Sequence, residues 1–150
     1  MKHLRMMAIV VSFVVLAAIG ATAQDNSSPQ SQVASKKAKF DTINASDPVL
    51  KTAIDAHDLS KAAGLIGKTG SFKGTVDRLY APKGGSLVIF NFDRDYKTAL
   101  TAIVRKGDFS KFPDLTKLEG KQVLITGKFI DYKGAAEIEL TDPNQIKLID

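Results

Sequence analysis

The chain reads as mainly β: a small barrel of five strands with a short helix between the third and fourth and helical turns ahead of the first. Three observations predict this. Apolar runs rich in Val, Ile, Phe and Thr recur at 71–80, 86–105 and 121–131, with turn-forming clusters between them. The stretch 107–119 instead carries apolar residues every third position. The 150 residues, 44% of them apolar, suffice for one ordinary globular core.

The pattern begins with a leader. Residues 1–23 have a basic start (Lys2, His3, Arg5), an apolar centre at 6–19, and Ala21 and Ala23 in the spacing of a cleavage site. This is the layout of a signal peptide, so the chain is expected in the periplasm or secreted. The apolar run of about 14 residues falls short of the roughly 20 that a spanning helix needs, so no stable membrane insertion is expected after cleavage. Without Lys2 and Arg5 the formal charge of +5 falls to +3, a mild bias towards anionic partners. No cysteine is present, which excludes disulfides, thiolate chemistry, cysteine zinc sites and a lipidated cysteine anchor.

Residues 24–46 are polar, with no sustained apolar period, and read as a flexible linker whose Lys36, Lys37 and Lys39 are solvated. At 47–69 the pattern changes to a helical lead-in. Pro48 follows the acidic Asp47, and Val49, Leu50, Ala53 and Ile54 have helical spacing; a second turn at 59–63 stops at Gly64.

The barrel occupies 70–150. In the first strand, 71–80, Phe72, Gly74 and Val76 share a face, and Gly74 marks a bend that lets one strand serve both sides of a barrel. A loop with Pro and paired Gly, 81–85, leads into the central hairpin: SLVIFNF, the polar reversal DRDYKT, then ALTAIVR. Phe109, Phe112, Leu115 and Leu118 supply the helical insert, divided by Pro113. The fourth strand, 123–130, turns at 131–134 (DYKG) into the fifth, 135–140, and 145–149 adds a final short strand. Strand, strand, strand, helical insert, strand, strand is the element order of the OB-fold, a partly open Greek-key barrel.

Gly74 and Val76, the run LVIFNF, KFPDL at 111–115, then Gly127, Tyr132, Gly134, Glu137, Ile138 and Asp142-Pro143 also make residues 59–149 resemble a bacterial family of small, exported OB-fold domains of nucleic-acid-binding type. Related domains are similar to the barrel of micrococcal-type nucleases, but the catalytic Arg and Glu arrangement of those enzymes has no counterpart here. The resemblance implies a binding face on the second and third strands, flanked by the loops at 81–85 and 132–134. The candidate contacts there are Tyr80, Phe90, Phe92, Tyr96 and Tyr132 for stacking, with Lys83, Arg94, Lys97, Arg105 and Lys133 for phosphates.

No motif supports catalysis, a cofactor or a metal. Gly67-Lys68-Thr69 lacks the earlier glycine of a phosphate loop, where Ala62 stands. Asn91, Asp93 and Asp95 begin like a calcium loop, but Tyr96 and Ala102 occupy the turn-glycine and closing-carboxylate positions. His57 reads as a surface residue, and Glu137 with Glu139 as an exposed strand face. The expectation is therefore a non-enzymatic binding module for single-stranded nucleic acid or oligosaccharide, the alternative being an adaptor for another envelope protein.

Overall fold

The computed structural model describes residues 39–150, and the signal peptide read at 1–23 and most of the linker lie outside them. In chain order the strands are β1 (Asp41–Ile43), β2 (Ile54–Asp55), β3 (Thr69–Thr75), β4 (Arg78–Tyr80), β5 (Leu87–Asn91), β6 (Thr101–Arg105), β7 (Gln122–Tyr132), β8 (Ala135–Leu140) and β9 (Ile146–Ile149). Two short helices, α1 (Val49–Thr52) and α2 (Leu59–Ala63), precede β3, and 3₁₀ turns cover Lys106–Lys111, Leu115–Leu118 and Pro143–Gln145. Among the described residues no helix is long and apolar enough to cross a membrane.

The described sheet has nine strands, not five. The expected first strand is cut in two because the chain changes partner at Val76 and Asp77. Val76 N–H donates to Lys121 O at 3.0 Å and Asp77 N–H to Asn91 O at 2.9 Å, so β3 lies against β7 and β4 against β5. Gly74 is not the bend. A Cβ there would come within 2.8 Å of Ala56 Cβ and 2.9 Å of Phe92 Cδ1, so glycine is required for close packing.

The other strands beyond five are β1, β2 and β9, the last of them the tail strand expected at 145–149. β1 corrects the linker reading at its end: Asp41–Ile43 runs parallel to β9, and Phe40 is buried in the core. Burying a phenylalanine contributes about 1.5–3 kcal/mol, which anchors a segment that looks polar in sequence. Ile43 packs with Leu50, Ala53 and Leu124 in a small second cluster beneath α1.

Pairing then runs around the sheet. β3 is antiparallel to β7, β7 to β8 and β6 to β5, while β8 and β6 are parallel. Because β5 also pairs with β4, which follows β3 directly, the sheet curls into a barrel-like form. Phe72, Phe90, Phe129, Ile125 and Ile138 fill its inside. The insert adds Phe112 and Leu118, both wholly buried, with Phe109 and Leu115 packed beside them. Phe109, Leu115 and Leu118 sit on 3₁₀ turns, whose three-residue period matches the spacing, and Phe112 caps the end of the first turn in extended conformation.

Candidate ligand-binding groove

Strand alternation that sends Phe90, Ala102, Ile138 and Phe129 inwards sends their neighbours outwards. Across the outer face, Arg78 is the register partner of Asn91, Asn91 of Thr101, and Thr101 of Glu137, giving a polar row over β4, β5, β6 and β8. Tyr80 and Ile89 form the adjoining pair. At the far side the β7–β8 hairpin closes with Lys133 at φ 55° and Gly134 at φ 87°, the paired positive values of a two-residue turn. Asp131 Oδ1 accepts the Gly134 N–H at 2.7 Å and holds that turn, placing Tyr132 and Lys133 at the rim.

The β5–β6 loop supplies the opposite wall. Asp93 Oδ1 accepts the Asp95 N–H and Asp95 Oδ1 the Lys97 N–H, each at 3.0 Å, so the two aspartates shape consecutive turns that present Tyr96 and Lys97. With Leu59 of α2, these side chains line a groove of about 650 Å³. Lys97 Nζ lies 5.9 Å from the Tyr96 ring centre and Lys133 Nζ 5.2 Å from that of Tyr132. Exposed cation–π contacts of this kind contribute about 0.5–1 kcal/mol.

The floor holds the two buried polar residues among those described, Asn91 at 5% and Glu137 at 6% exposure. Burial raises the Glu137 carboxyl above its usual range, opposed by the hydrogen bond that Thr101 Oγ1 donates to Oε2 at 2.8 Å and by the charge of Arg105. Glu137 is therefore not on an open strand face as its sequence suggested.

Of the expected contacts, Tyr80, Tyr96, Lys97, Tyr132 and Lys133 come together in the groove. Phe90 and Phe92 do not: both are core, and Phe92 packs edge-on to Phe72 with ring centres 5.0 Å apart. Lys83 is exposed on the 81–86 loop outside the lining. Arg94 lines a separate hollow beside His57 and Asp77. Arg105 Nε donates to Glu139 Oε1 at 2.8 Å. Sequence reasoning did not place Arg78, Ile89, Asn91, Thr101 and Glu137 among the groove contacts. The available signal was alternation, since Ile89 and Asn91 flank the inward Phe90.

His57 is exposed but engaged: Nδ1 lies 3.0 Å from Asp55 Oδ1 and Nε2 3.1 Å from Asp93 Oδ2. Among the described residues no three His, Asp or Glu side chains gather as a metal site.

No protein-family model matches this chain, and no curated protein sequence does. Among solved structures it is similar to the aspartyl tRNA synthetase from Entamoeba histolytica, at 16% identity and a TM-score of 0.49 over 73% of this chain. The match spans 24% of that synthetase chain. It is also similar to the OBody AM1L10 bound to hen egg-white lysozyme, at 25% identity and a TM-score of 0.40, covering 59% of this chain and 84% of the other. At these TM-scores neither likeness bears on function.

Proposed function

We propose that this chain is an exported, non-enzymatic binding module of the OB type that holds a short stretch of single-stranded nucleic acid in the groove. One observation carries the reading: the exposed large apolar side chains among the described residues, Leu59, Tyr80, Tyr96 and Tyr132, all line this one concavity. Tyrosine faces stack bases at about 1–3 kcal/mol each, and Arg78, Lys97 and Lys133 around them suit phosphates. The circuit of β3 and β4 with β5, β6, β8 and β7, including the parallel β6–β8 pair, supports the OB assignment. Oligosaccharide is the second reading, favoured by the buried Asn91 and Glu137, which offer hydrogen bonds to hydroxyls beneath the tyrosines.

The test is fluorescence anisotropy with a labelled single-stranded oligonucleotide and a neutral oligosaccharide competitor. The nucleic-acid reading expects binding that weakens steeply between about 50 and 200 mM salt and drops about tenfold in Tyr132→Ala. Binding of the sugar alone would move the assignment to the second reading.

A further inference from the structure

Resting on the nucleic-acid reading, we propose that Glu137 is a specificity residue that selects guanine in the groove. Glu137 is 6% exposed yet lines the groove floor, and Thr101 Oγ1 donates to its Oε2 at 2.8 Å. No hydrogen bond among the described residues occupies Oε1. Among the described residues no buried side-chain oxygen lacks a partner, so Oε1 opens to the groove and can accept a donor that the ligand brings.

The direction of approach follows from register. Glu137 stands opposite Ile130 and Ala135 opposite Tyr132, so Glu137 and Tyr132 are diagonal neighbours on one face of the β7–β8 pair. Such neighbours lie within reach of a large side chain. A base stacked on Tyr132 therefore turns an edge towards Glu137. Single-stranded bases are read on their Watson–Crick edges. A carboxylate offers two acceptor oxygens with about four lone-pair sites, so Oε2 keeps capacity beyond the Thr101 bond. Guanine presents two adjacent donors, N1–H and the 2-amino group, and satisfies both oxygens. Adenine and cytosine present one donor beside an acceptor, and thymine one donor between two acceptors, so each sets a lone pair against the carboxylate.

The experiment measures affinity of the full chain for oligothymidylates carrying one central guanine, hypoxanthine, adenine or thymine. Bidentate base contacts discriminate on the scale of about tenfold. Guanine is expected to bind about tenfold tighter than thymine, with hypoxanthine, which lacks only the 2-amino donor, in between. Glu137→Gln, which has one donor and one acceptor, is expected to remove the guanine preference and favour adenine. Equal affinity for guanine and hypoxanthine, or a guanine preference that survives in Glu137→Gln, would overturn the assignment while leaving nucleic-acid binding intact. No binding by any oligonucleotide would overturn both. The hypoxanthine comparison requires no variant, so a folding defect in Glu137→Gln does not shelter the proposal.

Discussion

His57 Nε2 lies 3.1 Å from Asp93 Oδ2, joining the helical lead-in to the loop that presents Tyr96 and Lys97 to the groove. Its Nδ1 faces Asp55 Oδ1 at 3.0 Å, and an imidazole donates to two carboxylates at once only when both nitrogens are protonated. The bond to Asp55, assisted by that to Asp93, raises His57 above its ordinary 6.5. Asp93 is held below 3.8 chiefly by the Asp95 backbone N–H and then by His57, and Asp55 below 3.8 chiefly by the His57 backbone N–H.

The sign of the pH dependence follows. A raised histidine contributes stability that is complete below its unfolded value and lost as pH rises through the folded one; lowered aspartates contribute stability lost as pH falls through theirs. The stability difference between wild type and His57→Ala is therefore expected to be largest near about pH 5.5 and to shrink by about pH 8. Urea midpoints across that range check it. A difference that grows towards pH 8 would refute the linkage.

Gly74→Ala is expected to destabilise the fold by about 1–3 kcal/mol, because the new methyl meets Ala56 Cβ and the Phe92 ring at under 3 Å inside a packed core. Gly67→Ala is also expected to cost stability, but by another route: its φ of 86° strains any side chain, while the added Cβ meets nothing within 4 Å. Urea denaturation of the two variants, with the first losing more, checks the packing role assigned to Gly74.

Lys97→Ala and Lys133→Ala are each expected to lower the slope of log affinity against log salt by about one, uniformly across sequences. Lys83→Ala and Arg105→Ala lie outside the groove lining and are expected to leave that slope unchanged. Affinity measured at several salt concentrations checks both pairs.

Much of this was legible in the sequence where the cause is local. The turn DYKG at 131–134, the three-residue spacing from Phe109 to Leu118 and the alternation in LVIFNF each express a short-range rule, and each element formed close to its expected place. The misses are non-local. Asp41–Ile43 becomes a strand only because β9 offers it an edge, and Gly74 is needed only because Ala56 and Phe92 arrive from distant positions. At the candidate site the aromatic signal divided by burial. Tyr80, Tyr96 and Tyr132, with hydroxyls that reach water, stand on the groove, whereas Phe90 and Phe92 turn inwards. Glu137 was not placed in the groove because alternation assigns it a face without showing that neighbouring strands and rims would cover it.

The central claim is that ligand occupies the concave outer face of β4, β5, β6 and β8. Its most direct test is a map of backbone amide chemical shifts in the isotope-labelled protein, titrated with a single strand of about six nucleotides. The groove account predicts shifts confined to 78–80, 89–91, 96–101 and 132–137. Shifts centred on β1 and β9, or none at saturating oligonucleotide, would contradict it.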